Sequence, residues 1–135
     1  MNDASRYMDD TDYANAFDSY RIVLEKFPMF AEAAYSMGLV KHREKILNEA
    51  VQYFKKALEI NPYHEKARKA LDNVTKKSFN DGNRAYKRGD LDGAIEAYYK
   101  VLEFDEKFYQ AHYQIGVIKA KMGDVMEQLD ITNKR

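Results

Sequence analysis

The chain has no cysteine, only two prolines and six glycines among 135 residues, and no net charge. The absence of cysteine excludes disulfides and thiolate metal sites. Lysine plus arginine and aspartate plus glutamate stand at 22 each. That balance argues against a nucleic-acid binder, which would show a basic excess, and against a polybasic membrane-surface protein. No apolar run approaches the roughly 18 residues of a membrane span. The polar, acidic start MNDASRYMDD is unlike a signal peptide, so a cytoplasmic location is the expectation. Few helix breakers, no strand-like alternation and a background of Ala, Leu, Glu, Lys, Met and Tyr predict an all-α chain. Its length suits a single domain over residues 1–135 with a continuous core.

What is present is a spacing. Ala16-Tyr20-Val23-Pro28 recurs 34 residues later as Ala50-Phe54-Ala57-Pro62. A third copy, Ala94-Tyr98-Val101, follows after 44 residues, with Glu106 where proline would fall. A period of 34 with this signature marks a helix-turn-helix repeat. In residues 31–64 the second half sets Ala50, Tyr53, Phe54, Ala57 and Leu58 on one stripe of an amphipathic helix. Small Gly38, Ala50 and Ala57 let two antiparallel helices approach, and Phe54 fills the gap between them. Asn61-Pro62 ends the second helix, because proline disfavours helical geometry in the residue before it. Residues 43–49 join the halves without a Gly-Asp turn, whereas Gly89-Asp90 supplies one in the third copy. A fourth copy starts at Tyr109 and is expected to turn at Gly123-Asp124. It then degrades, with Gln128 and Thr132 in the small and aromatic places. Shifting the chain by 78 residues also superposes Asp12 on Asp90, Tyr35 on Tyr113 and Gly38 on Gly116. Either a pair of repeats was duplicated, or any two copies share these structural positions.

The unit resembles the tetratricopeptide repeat. The family pattern is Trp-x2-Leu-Gly-x2-Tyr in the first helix, then Ala-x3-Phe and Pro in and after the second. Ala34, Met37, Gly38, Ala50, Phe54, Ala57 and Pro62 occupy these places, and Lys41 replaces the tyrosine. The resemblance implies a right-handed α-solenoid of antiparallel helix pairs with three to four units. These would be 1–30, 31–64, 75–108 after a ten-residue insertion at 65–74, and a partial 109–135. Across the insertion, Ala67, Ala70, Leu71, Val74, Ser78, Gly82 and Ala85 hold a near-continuous helical stripe. With no Gly or Pro between Glu65 and Asp81, the preferred reading is one helix of about 24 residues, roughly 36 Å long. The other reading starts a new helix at Ser78, with Asp81 completing a capping box.

No residue constellation points to chemistry. His42, His64 and His112 lack metal-ligand spacing and read as two solvated histidines and one groove histidine. Asp9-Asp10-x-Asp12 lacks the glycine and distal glutamate of a calcium loop and reads as a solvated turn. There is no phosphate loop and no nucleophile elbow. The expectation is a non-catalytic scaffold with no cofactor and no metal.

The resemblance implies that first helices line a concave surface receiving a partner's extended peptide or helix. On matching positions the second repeat supplies Glu32, Tyr35, Leu39, His42 and Arg43. The third supplies Phe79, Asn83, Tyr86 and Lys87, and the fourth Gln110, Tyr113, Val117 and Lys121. Some family members bind acidic chaperone C-termini through paired lysines and asparagines. Only Asn83 fits that pattern, so a segment with apolar or aromatic anchors and charged flanks suits better. The expected partner is therefore a protein or peptide, with no nucleic acid and no membrane span. Self-assembly through repeat ends or the exposed groove is the alternative. A polar cap is missing at both ends, so either more sequence lies beyond them or another chain covers them.

Overall fold

The computed structural model describes the backbone of residues 12–133 and the side chains through residue 124. The short first helix expected in residues 1–11, with Asp9 and Asp10, lies outside the described residues. Among those described there are six helices and no strand: α1 (Tyr13–Lys26), α2 (Ala31–Arg43), α3 (Leu47–Ile60), α4 (Glu65–Lys87), α5 (Leu91–Phe104) and α6 (Tyr109–Asn133). The fold is an all-α helical repeat. The chain divides into two compact units, Met1–Val74 and Thr75–Arg135.

In the first unit α2 and α3 pair through the predicted close approach. A methyl group placed on Gly38 would sit 2.5 Å from the Phe54 ring and 3.1 Å from the Ala50 carbonyl. Only glycine leaves room for that ring. α1 packs on the other side of α2, where Ala16, Tyr20, Met37 and Val40 form a buried cluster flanked by Phe17 and Tyr53. Lys41, in the family's tyrosine place, lies 4.5 Å above the Phe17 ring. Its ammonium also reaches Glu44 at 3.6 Å and Glu49 at 3.5 Å. The stem and cation thus cover the surface a tyrosine ring would cover.

The second unit repeats the same contact. A methyl on Gly82 would meet the Tyr98 ring at 2.6 Å. Ala85, Ala94, Tyr98, Val101, Ala111, Ile115 and Ile118 form its core.

Residues 65–87 are one helix, as the unbroken stripe predicts, and Ser78 is a buried interior residue rather than an N-cap. The burial pattern explains the extra length. In α2 one buried row, Ala33, Met37 and Val40, includes the residues that pack on α1. A second, Ala34 and Gly38, faces α3 and the turn beyond it. One 13-residue helix carries both. In α4 the rows are separated along the helix. Ala67, Leu71 and Val74 repeat the first row, and Ala67 clusters with Ala34 and Ala57. Ser78 and Gly82 repeat the second, with Gly82 against Tyr98. Residues 65–74 are therefore a first-helix segment in their own right.

Three turns join second helices to the next first helix. In each, the residue after the turn bonds back over three residues: Phe30 to the Phe27 carbonyl, His64 to Asn61, and Phe108 to Asp105, at 3.0 to 3.1 Å. Glu106 makes the same turn without proline. Asp105 accepts from the Lys107 N–H at 3.0 Å, as Asn61 accepts from Tyr63 in the turn that keeps its proline.

The turns inside repeats are also alike. Gly89 adopts φ +83°, and Lys45, its counterpart 44 residues earlier, adopts φ +65°. Ile46 N–H bonds the Lys41 carbonyl at 2.9 Å, and Asp90 N–H bonds that of Ala85 at 3.0 Å. Both are Schellman closures. Asp90 then caps α5 by accepting from Gly93 N–H, whereas Ile46 offers α3 no side-chain cap. Asp12 caps α1 in the same way through Asn15 N–H.

One expected turn does not form. α6 runs straight through Gly123 and Asp124 to Asn133. With Gln128 and Thr132 in place of the small and aromatic residues, a second helix would lack the pair that closes against a first helix. Helical backbone is kept instead.

The second-repeat turn carries two poor residues, so correcting both is expected to stabilise. Lys45→Gly removes a left-handed non-glycine residue, and Ile46→Asp installs an N-cap, each for about 1 kcal/mol. A raised urea midpoint of the double variant checks this, and an unchanged midpoint would contradict it.

Candidate functional site

Each unit holds an aromatic triad built from a first helix, its second helix and the following turn. In the first unit the Tyr35 ring lies 5.9 Å from Phe54 and 5.1 Å from His64. In the second, Phe79 lies 5.4 Å from Tyr98 and 5.1 Å from Phe108. The three members correspond at an offset of 44 residues.

His64 is more than a solvated histidine. Its side chain is 10 % exposed, and Nε2 meets Glu32 Oε2 at 2.8 Å. Nδ1 accepts from Ala67 N–H at 3.0 Å. An accepting Nδ1 places the ring proton on Nε2, where it is donated to Glu32. His64 thus caps α4 and ties it to α2 at once. His112 is exposed, with Nε2 3.1 Å from the Glu106 carbonyl oxygen.

Next to the first triad is a cavity of about 290 Å³ lined by Tyr35, Leu39, His42, Phe54, Lys66, Lys69, Ala70 and Asn73. Its walls are aromatic and aliphatic, and its rim carries two lysines. Lys66 lies 3.9 Å from Glu32. Lys69 has no ion-pair partner among the described residues. Arg43, predicted as a lining residue, is exposed at the C-terminus of α2 and outside the lining. Lys66, Lys69, Ala70 and Asn73 were not foreseen, because residues 65–74 read as an insertion. The signal was available: Ala67, Leu71 and Val74 repeat Ala33, Met37 and Val40 at the period of 34.

In the second unit the predicted lining residues are differently employed. Phe79 is partly buried within its triad. Asn83 Oδ1 accepts the Tyr98 hydroxyl, so the one residue matching the chaperone-peptide pattern is already engaged. The partly buried Tyr86 ring has Lys121 Nζ 4.7 Å from its centre. Lys87 and Gln110 are exposed, Val117 is partly buried, and Tyr113 is 71 % exposed.

Among the described residues no group of three or more His, Cys, Asp or Glu could hold a metal ion, and no helix is long and apolar enough to cross a membrane.

Residues 2–65 match the family described as tetratricopeptide repeat, and residues 82–123 match one described as TPR repeat. The chain belongs to the tetratricopeptide repeat family and is a helical-repeat scaffold for protein interaction. It is similar to DnaJ homolog subfamily C member 7 of Mus musculus, 32 % identical over 102 residues, covering 74 % of this chain and 21 % of that protein. The Homo sapiens protein of that name matches to the same extent. TPR repeat-containing protein MJ1428 of Methanocaldococcus jannaschii is 27 % identical over 133 residues, covering 89 % of this chain and 23 % of that protein. The chain thus spans between a fifth and a quarter of the length of these relatives. Solved structures similar to it include the first TPR of Spaghetti (RPAP3) bound to the HSP90 peptide SRMEEVD, with TM-score 0.47, 18 % identity, and 90 % of this chain and 89 % of that chain covered. MamA is another, with TM-score 0.47, 19 % identity, and 91 % and 62 % covered.

The triads make stability sensitive to alkali. Burial raises the hydroxyl pKa of both Tyr35 and Tyr98 above the free value of 10.0, and the Glu32 carboxylate raises that of Tyr35 further. Between the free value and the raised one, the unfolded chain gives up protons that the folded chain keeps. Stability is therefore full below pH 10 and falls as pH rises through the folded values. In urea titrations Tyr35→Phe is expected to lose less stability than the parent across that range.

Proposed function

We propose that the first-unit cavity is where this scaffold takes hold of a partner protein. An apolar or aromatic side chain of an extended peptide or helix enters between Tyr35, Leu39, Phe54 and Ala70. An acidic neighbour on the same segment meets Lys66 and Lys69. The observation that carries the reading is the combination of apolar walls with a rim lysine that has no ion-pair partner among the described residues. Tyr35 suits the role, since its ring offers large contact area with little conformational freedom to lose. The triad with Phe54 and His64 already holds that ring in place. An acidic flank is preferred to a basic one because His42, Lys66 and Lys69 crowd the rim.

The alternative is self-assembly, and one observation favours it. Around Pro28, Phe27 and Met29 are 64 % and 75 % exposed, and Phe30 is also exposed. Apolar side chains grouped at one turn suit contact with another protein surface.

A random peptide library displayed against the full chain tests the first reading. Captured sequences are expected to share an apolar or aromatic anchor beside Asp or Glu. Lys69→Glu with Asn73→Trp, both at exposed positions, reverses the rim charge and fills the cavity. Affinity for the captured peptides should fall at least about tenfold, or about 1.4 kcal/mol. Unchanged affinity would place recognition elsewhere. Molar mass that rises with concentration would favour self-assembly.

A further inference from the structure

Among the described residues, α6 repeats the receiving side of a helix pair with no second helix in its notch. In α2 the receiving side consists of Gly38, which admits the Phe54 ring, and Tyr35, which packs beside that ring. In α4 it consists of Gly82, which admits Tyr98, and Phe79 beside it. The same positions in α6 are Gly116 and Tyr113. A methyl placed on Gly116 would meet nothing within 4 Å among the described residues. Tyr113 is 71 % exposed, and Tyr109, one turn earlier, is 75 % exposed. Glycine in a helix interior costs about 1 kcal/mol relative to alanine. Gly38 and Gly82 offset that cost through the ring each admits, and no residue in contact with Gly116 does so. The same helix adds exposed Ala120 and Gly123, which extend the narrow face.

We propose that this face of α6 docks an amphipathic helix of another protein that carries a small residue, an aromatic residue four positions on and a second small residue three positions after that. The two established pairs define this occupant. Each delivers Ala-x3-[Phe/Tyr]-x2-[Ala/Val] to its glycine, through Ala50-Phe54-Ala57 in one and Ala94-Tyr98-Val101 in the other. The aromatic ring enters the notch over Gly116, and the small residues let the backbones close. A second copy of this chain is a poor occupant. Its own signatures at Ala16-Tyr20, Ala50-Phe54 and Ala94-Tyr98 are all buried within their units. The site is separate from the cavity of the first unit, so either can fail without the other.

The probe is a labelled synthetic peptide of residues 47–60, LNEAVQYFKKALEI, titrated with the full-length chain and read by fluorescence anisotropy. Binding to the parent protein is expected, and Phe54→Ala in the peptide should abolish it. Gly116→Ala in the protein should weaken binding at least about tenfold, because the added methyl occupies the notch. The same substitution should raise the thermal midpoint of the free protein, since alanine is the better helix former. A Gly116→Ala protein that is more stable yet no longer binds is therefore the supporting result. Equal binding by parent and variant would overturn the proposal, as would no binding by the parent. A concentration-dependent molar mass that Gly116→Ala abolishes would also overturn it, by making a second copy the occupant.

Discussion

The structure depends on an aromatic ring pressed against a glycine. Phe54 over Gly38 and Tyr98 over Gly82 set the separation between first and second helices in each unit. No other residue at either glycine would leave the ring its place, because the nearest ring atoms stand at 2.5 and 2.6 Å from where a methyl would be. Once that contact is made, the neighbouring alanines fall into close packing and the flanking aromatic, Tyr35 or Phe79, is held against the ring. The wall of the first-unit cavity is thus a by-product of helix pairing.

Much of this was legible in residue spacing. Gly38, Ala50 and Phe54 announce their contact, because small and large residues at helical intervals leave few ways to pack. The continuous helix through residues 65–87 was equally readable from its unbroken stripe. What escaped were features in which one residue serves two neighbours. His64 caps α4 through one ring nitrogen and meets Glu32 through the other, and nothing in a lone histidine's sequence context declares either bond. Gly123-Asp124 resembles Gly89-Asp90 in letters, but only the latter is followed by a small and an aromatic residue, Ala94 and Tyr98, whose burial offsets breaking the helix. The predicted lining residues of the first unit, Tyr35, Leu39 and His42, do converge. Their partners on α4 were hidden because residues 65–74 read as an insertion ahead of the third repeat, not as part of a cavity wall. Lys45 escaped for a different reason: its left-handed backbone is dictated by the helices on either side and not by its own preference.

α4 shows how a repeat protein can change its period without breaking its packing rules. A normal first helix has one buried row toward the preceding repeat and another toward its own second helix. Ten extra residues let α4 assign these rows to successive stretches, Ala67–Val74 and Ser78–Ala85. Each stretch then needs to satisfy only one neighbour, which relaxes the demand for small residues on both sides at once. The charged positions left over, Lys66 and Lys69 among them, are free to form the rim of a cavity.

That division has a consequence for how the chain resists degradation. Proteases cut where backbone can be drawn out into an extended strand, which normally means the connector between two compact units. Here the boundary falls at Val74 and Thr75, both buried and both inside continuous helix. The conventional weak point has been built out of the molecule. The Glu44–Ile46 turn, where Lys45 is left-handed and Ile46 gives α3 no side-chain cap, is then a more exposed peptide segment than the helical junction.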